Sequence, residues 1–515
     1  MRIGIDVGRT HTDAVLMAGN EIVATSKAKT TSDPSASIAS AVTPLLRASH
    51  VRPVEIDAVM VGIAPLARAF ERRRGLQRVG VLRLAPRASA LRAPLSDWPP
   101  LLVATLNPVI ACLYLRPQGA NDALMPFDAG ELLKAAASLH RLGIRGLALS
   151  ARGTAMHRYI ESEAATLIRS VFSELDVSLA SDFSESADIE SENAAIVNAA
   201  LGWFADSTLR SVERVLRRLR IWAPLFFSRN DGTLASAARA RAFPLFTLAS
   251  DAANSIRGAV HLSGVESGVV IDIGGSSTTI GRLVDGFPST LPTSVMLGGV
   301  RLQLPLPEIL SIEVGGGSVI RQTVAGTITL GPDSVGAALD SRARIFGGDT
   351  LTATDVAVAA GRLHLGDVSR MREIAVRLVQ QALDLFHAHI ESGLALATHA
   401  APDLPRVIVG GGALLVARPW SGCAPPLMPA NHQAVNAIGA ATAPLSKLTD
   451  EVYSYRALGR EVALAQARAD ALRRLYDAGA VEGTAKIVDE EEIPLTGSPG
   501  DLVRLRVRAS GKPPG

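Results

Sequence analysis

Two stretches of the chain are versions of one another, and this repetition restricts the fold more than any other feature. The first reads Ile5-Asp6-Val7-Gly8-Arg9-Thr10-His11-Thr12-Asp13, the second Ile271-Asp272-Ile273-Gly274-Gly275-Ser276-Ser277-Thr278-Thr279. Each opens on a short apolar run, Ile3 to Val7 or Val269 to Ile273, with an Asp inside it. A glycine turn and a cluster of hydroxyl residues follow. A second apolar run comes next, Ala14 to Met17 or Ile280 to Val284, and then Gly19-Asn20 or Asp285-Gly286. Such dipeptides tolerate the positive φ of tight hairpins. A third run or turn closes each copy. The unit is predicted to be strand, glycine hairpin, strand, turn, strand, built twice.

The chemistry of such a hairpin follows from its residues. Gly8, Gly274 and Gly275 let backbone N–H groups approach a ligand closely and point the same way, a concavity suited to anions. The hydroxyls of Thr10, Thr12, Ser276 and Ser277 add donors, and the Arg9 cation suits phosphate. Carboxylates repel bare phosphate, so Asp6 and Asp272 imply a cation in between, for which Mg²⁺ held through water is the usual choice. Two facing hairpins are expected to clamp the tail of a nucleoside triphosphate. One Gly-Gly-Ser turn reads equally well as an ordinary tight turn; its recurrence in the same strand context carries the phosphate reading.

The repeat resembles that of the actin, sugar kinase and Hsp70 superfamily of duplicated ATPases, and more narrowly the hydantoinase A/5-oxoprolinase family. The family pattern Asp-x-Gly-Gly-Thr-x-Thr-Asp fits Asp6 to Asp13 except at Arg9, and Asp272 to Thr279 except at Ser276 and Thr279. Further matches, in family order, are Glu190-Ser191-Glu192-Asn193-Ala194, Asn230-Asp231-Gly232-Thr233 and Gly315-Gly316-Gly317-Ser318. Gly331 to Gly336, Thr352-Ala353-Thr354-Asp355 and Gly410-Gly411-Gly412 continue the series. The resemblance implies an α/β, duplicated actin-like ATPase (ribonuclease H-like) fold, with two lobes about a central nucleotide cleft. It implies an N-terminal lobe over residues 1–188 with the first hairpin, and a second lobe over 189–445 with the second hairpin. A helix and strand extension over 446–515 follows.

The same resemblance implies ATP and Mg²⁺ as cofactors. Asp6, Asp13 and Asp272 are the implied catalytic residues, with Asp6 and Asp272 holding the metal. Gly315 and Gly316 are expected near the ligand, and Gly410, Gly411 and Gly412 near the adenosine. The implied reaction opens a cyclic amide, a hydantoin or lactam, by phosphorylating its carbonyl oxygen. A planar amide is a poor electrophile, and the enzyme's contribution is positioning and charge neutralisation. A larger hydantoinase B-type subunit is the implied partner. One alternative is a ketone-carboxylase-type subunit. Another is a regulatory or degenerate nucleotide-binding subunit, favoured by Arg9 for Gly, Ala64-Pro65 for Thr, Asp251 for Gly and Thr279 for Asp. A small-hydroxyl kinase is a third.

Composition agrees with a large globular chain: 515 residues, 48% hydrophobic and 20% charged. A net charge of +3 points to no polyanionic partner. Eight arginines lie between Arg68 and Arg92 with only Phe70 beside them, which reads as a wet helix face and strand rim rather than a nucleic-acid surface. Cys112 and Cys423 make no disulfide framework. Arg2-Ile3 already begins a strand, leaving no room for a signal peptide, and Pro99, Pro100 and Pro108 break the uncharged run Trp98 to Leu115, read as buried strand and loop. A cytoplasmic protein without membrane contact is expected. His157 and Glu161 share a helix face, more simply as wet polar residues than as metal ligands. Glu192 to Trp222 has helical spacing; Glu192 and Asn193 at its start read as caps or, from the family match, as residues with a structural and site role, and Phe243 to Leu248 reads as a strand.

Overall fold

The computed structural model describes residues 1–514 except 32, 64, 88–90, 117–125, 155, 185, 291–293, 305, 324–325, 398–403, 417, 421–423 and 495–500, and only the backbone of 65, 67 and 68. Ala64, the side chains of Pro65 and Arg68, and Cys423 therefore lie outside the described residues.

The first repeat forms antiparallel strands β1 (Arg2–Val7), β2 (His11–Ala18) and β3 (Glu21–Lys29). Asp6 faces Asp13 across the first hairpin. The helix Pro34–Ser49 follows, its start capped by the Asp33 carboxylate accepting from the Ser35 N–H. Then β4 (Ala58–Ile63) runs parallel to β1.

The chain next builds a separate four-stranded sheet. Its strands β5 (Val79–Ala85), β6 (Val109–Tyr114), β7 (Gly146–Ala151) and β8 (Asp176–Leu179) are all parallel, in the order β6-β5-β7-β8. The run Trp98 to Leu115 is not a buried strand and loop. Pro100 starts a helix, Pro100–Leu106, and β6 is an edge strand with alternate residues exposed. Proline is tolerated in a first helical turn because the N–H it lacks has no intrahelical partner there.

The helix Ile189–Arg218 returns the chain to the first sheet. Its cap is Asp188, whose carboxylate accepts from the Ser191 N–H. Glu192 and Asn193 are not caps but wholly buried links. Glu192 accepts from Arg83 Nε at 2.7 Å and Ser150 Oγ at 2.6 Å, while Asn193 accepts from Trp98 Nε1 at 2.7 Å. Arg83 is thus buried rather than on a wet rim.

After β9 (Leu225–Ser228) and β10 (Leu234–Ser236), the stretch expected as a strand at Phe243 is a 3-10 turn, Pro244–Thr247. The second repeat gives β11 (Gly268–Ile273), β12 (Thr278–Val284) and the short β13 (Phe287–Pro288), with Asp272 facing Thr279. Then come β14 (Val295–Leu297), β15 (Val300–Leu302), β16 (Ile309–Ile312), β17 (Ser318–Gln322), β18 (Ile328–Ser334) and β19 (Arg406–Val409). The last strands are β20 (Leu445–Ser454), β21 (Lys486–Pro494) and β22 (Leu502–Gly511).

The large sheet has the order β21-β22-β20-β10-β9-β4-β1-β2-β3, so it draws on residues from 1–188, 189–445 and 446–515 alike. The second repeat's sheet runs β13-β12-β11-β19, with β16 also on β12. Near the end of the described chain the Lys512 N–H donates to Thr484 Oγ1 and its carbonyl accepts from the Val481 N–H.

Two helices, Ser250–Ser263 and Val435–Thr442, join the repeat sheets. The first touches β4, β11, β12 and β19; the second packs on β1, β2 and β4. They cross backbone to backbone. A Cβ on Gly258 would collide with the Val435 carbonyl, and one on Gly439 with the Asn254 carbonyl. Only glycine permits that approach.

Candidate functional site

The two hairpins face each other across a cleft of about 430 Å³. Each is closed by the same backbone bond: Gly8 N–H to the His11 carbonyl and Gly274 N–H to the Ser277 carbonyl, both 3.0 Å. Arg9 reaches across and donates to Ser277 Oγ. The Gly315–Gly317 turn is tied to the second hairpin, Gly316 N–H donating to the Gly274 carbonyl at 3.0 Å and Gly317 N–H to that of Gly275 at 2.6 Å. The turn after β19 also closes on it, since Gly412 N–H donates to the Ile273 carbonyl at 2.8 Å. Gly410 has φ +90°, and a side chain there would collide with Asp272 Oδ1, so this turn requires glycine.

Most of the residues singled out from sequence meet on this cleft. Asp6, Gly8, Arg9, Thr10, Asp13, Asp272, Gly274, Gly275, Ser276, Ser277, Gly316, Gly410, Gly411 and Gly412 all line it. Thr12 and Gly315 are not among the lining residues. Successive strand residues point to opposite faces, so with His11 and Asp13 on the cleft, Thr12 is buried behind it and bonds Thr30 Oγ1 at 3.0 Å. Gly315 lies beneath the second hairpin, where a Cβ would stand 2.6 Å from the Gly274 carbonyl oxygen.

Polar residues not assigned to the site from the sequence also line it, among them Lys27, Lys29, Asp251 and Asn436. Lys27 lies opposite Asp13 in the β2–β3 register and pairs with it at 2.6 Å; Lys29 pairs with Asp340 at 2.8 Å. Asn436 Nδ2 stands 3.5 Å from Asp6 Oδ2. Alternation along β3 marks the lysines as one face, but only its register on β2 brings them to Asp13. A mostly apolar wall that includes Leu339, Phe346, Leu363, Leu365 and Leu415 completes the cleft, a surface suited to a flat ring.

Electrostatics make the floor of the cleft unusual. Burial holds the Asp6 carboxyl well above its ordinary range, and Asp251 and Asp13 add repulsion. Burial pushes Asp272 up to about 6, with Asp251 adding to it. Asp6 Oδ1 has no hydrogen-bond partner within the protein. Buried carboxylates in this condition suit a cation. Among the described residues no three His, Cys, Asp or Glu side chains converge as direct metal ligands, so an ion here would draw most of its ligands from phosphate and water, as Mg²⁺ commonly does. His157 and Glu161 form no such site. Glu161 accepts from the N–H groups of Ala151 and Ser181, each at 2.8 Å, and burial pushes it up to about 7.

A duplicated hairpin unit thus surrounds a glycine-rich, carboxylate-floored cleft. The family model for the hydantoinase/oxoprolinase N-terminal region matches residues 2–172, and that for hydantoinase/oxoprolinase matches residues 191–370. The chain belongs to the hydantoinase/oxoprolinase family. No curated protein sequence matches it. Among solved structures it is similar to the ATP-dependent caprolactamase from Pseudomonas jessenii, with TM-score 0.72 and 18% identity over 99% of this chain and 87% of that one. It is also similar to acetone carboxylase, in a nucleotide-free structure from work on ATP-dependent acetone carboxylation. There the TM-score is 0.70, with 16% identity over 100% of this chain and 88% of that one. These likenesses establish a shared mixed α/β fold. Among the described residues no helix is long and apolar enough to cross a membrane.

Proposed function

We propose that the chain is the ATP-using subunit of an enzyme that opens a cyclic amide, a hydantoin or lactam, through a phosphorylated carbonyl. The observation that carries this reading is the pair of hairpins presenting Asp6 and Asp272 to one cleft. Family membership and likeness to a caprolactamase support it. On this reading the protein is cytoplasmic, acts on a small cyclic amide or related carbonyl compound, and works with a larger hydantoinase B-type subunit.

The hairpin N–H groups and the hydroxyls of Thr10, Ser276 and Ser277 would cradle the phosphates, with Arg9 adding charge. Gly410 to Gly412 and the apolar wall would hold the adenosine. Asp6 and Asp272 would hold Mg²⁺ through its waters; the ion supplies neutralisation of the charge on the phosphoryl group. Asp13, fixed by Lys27, would orient the attacking water. The amide oxygen takes the γ-phosphoryl group and ADP leaves. Water adds to the activated carbon, and the C–N bond breaks as the ring nitrogen takes a proton. A second water releases phosphate from the acyl phosphate, leaving an open amino acid.

Two other readings have specific support. Likeness to acetone carboxylase favours a subunit that activates a ketone. The neutral Thr279 opposite Asp272, and Asp251 beside it, favour a binding subunit with little catalysis. Product analysis with lactams, hydantoins and ketones plus ATP decides among the three. Mg·ATP at a hundred times its Kd should also stabilise the protein by about 2.7 kcal/mol, and chelation should remove most of that gain. A folded protein whose melting is indifferent to millimolar Mg·ATP would rule out the clamp.

A further inference from the structure

Beneath the floor of the cleft lies a set of buried polar side chains that carry atoms without a protein partner. Asp6 is level with Gly62 across β1 and β4, and Gly62 with Ser228 one step beyond the Val61–Phe227 pair of β4 and β9. Residues in register on parallel strands face the same way, so Asp6 and Ser228 flank the gap that Gly62 leaves. From above, the helix Ser250–Ser263 lowers Asn254 into that gap. A Cβ on Gly62 would stand 2.5 Å from Asn254 Nδ2 and 2.8 Å from Asp6 Oδ1. Ser250 lies one turn away on the same helix face, and Asn230 two residues past Ser228.

All five side chains are at most 3% exposed. Yet Asp6 Oδ1, the hydroxyls of Ser228 and Ser250, and both amide atoms of Asn230 and Asn254 meet no hydrogen-bond partner in the protein. Buried polar groups are seldom left so. A methyl group on Gly62 would already crowd Asn254 and Asp6, so no substrate ring enters there. A bare cation would leave the two amide NH₂ groups unmet. Water, which offers donors and acceptors and takes two to four polar partners, matches this set. Asp6 lines the cleft, so the set meets the cleft there.

We infer that these five side chains hold a file of ordered water that supplies the floor of the cleft with the water consumed in ring opening. The inference rests on the proposed function. Water is a reactant in amide opening, where its oxygen bonds the activated carbon and its protons pass to the ring nitrogen and to phosphate. It is a competitor where a ketone is to be carboxylated, so a built water supply favours the hydrolytic reading.

Two measurements test it. A high-resolution crystal structure of the full chain should show ordered water bonded to Asn254, Ser228 and Asp6; well-defined density with none there overturns the file whatever the reaction. In the active enzyme, with its partner subunit if one is required, Ser228→Val should fill the path while Ser228→Ala leaves it open. With ATP labelled by ¹⁸O in the β,γ-bridge, a blocked water supply lets the phosphorylated amide return its phosphoryl group to ADP. Ser228→Val should therefore slow ring opening at least tenfold while positional isotope exchange continues, raising their ratio about tenfold; Ser228→Ala should move it little. An unchanged ratio in Ser228→Val overturns the supply role. If no cyclic amide supports either process in the parent, the proposed function fails, and the crystal structure alone decides whether water stands there.

Discussion

The two copies of the hairpin share a backbone and differ in charge. In the first, Asp6 faces Asp13 across β1 and β2, and β3 places Lys27 against Asp13 at 2.6 Å. In the second, Asp272 faces Thr279, and Ser311 of β16 stands where Lys27 does in the first copy. The first copy also carries Arg9 where the second has Gly275. Identical turns thus present charged groups on one wall and hydroxyl and N–H donors on the other. Duplication supplies the glycine hairpin twice, but a carboxylate held by a lysine only once. If the chain catalyses, the reacting water belongs to the first wall and the second wall mainly holds phosphate.

The harshest test of that division is Asp13→Asn. It keeps size and removes charge beside Lys27, and removal of a positioned acid–base group costs roughly 10²–10⁴-fold in rate. Steady-state ring opening should fall by that factor while Mg·ATP affinity, read by calorimetry, changes little. Equal loss of affinity would show that the first wall holds nucleotide as the second does.

Asp6→Asn and Asp272→Asn should act alike, since these are the equivalent positions the walls share. A carboxylate that grips an ion through its waters is worth about 10–100-fold in affinity or activity. Mg·ATP binding should weaken by that factor in both variants, with melting temperatures of the free protein no lower than the parent's. Undiminished Mg·ATP binding in Asp6→Asn would remove the metal role from the first wall.

Protonation separates the same two sites. Burial pushes Asp272 up to about 6. Between the ordinary carboxylate range, near 4, and about 6, the folded protein keeps a proton that the unfolded chain has lost. Rising pH through that window therefore lowers the stability of the free protein. A bound cation requires the ionised carboxylate, so Mg·ATP affinity should rise with pH by up to about tenfold per unit and level off above pH 6. Asp272→Asn should flatten that rise, unless Asp6, also raised by burial, dominates the titration.

Much of this was legible in the chain because the signal was local and doubled. The Asp-Gly-hydroxyl pattern fixed both hairpins, and the glycine turns at 315–317 and 410–412 were visible as chain punctuation. What stayed hidden depends on distant pairing. Lys27 matters only through its register with Asp13, and Asp251 only because its helix starts beside two buried carboxylates. Glu192 and Asn193 read as caps by position, yet Asp188 caps the helix and they link to Arg83 and Trp98 instead. Nor does local pattern reveal that β20 to β22 extend the first sheet, because each strand's neighbour is more than two hundred residues from β1.

The mildest change asks whether the second wall can be converted. Thr279→Asp restores the carboxylate of the first wall but places it opposite Asp272, a half-buried group already short of compensating charge. Like charges so placed raise the nearer pKa and oppose ionisation, so the single variant should bind Mg·ATP a few-fold more weakly and gain no turnover. Ser311 is in register with Thr279, as Lys27 is with Asp13, so adding Ser311→Lys should supply the missing cation and restore binding to within about twofold of the parent. A double-mutant cycle measures that coupling directly. No coupling between 279 and 311 would mean that the charge on the first wall is set by its whole surroundings and not by the Asp13–Lys27 pair. A rise in turnover with Thr279→Asp alone would instead show that the second wall lacks only its carboxylate, and that its neutrality is what limits the chain as an enzyme.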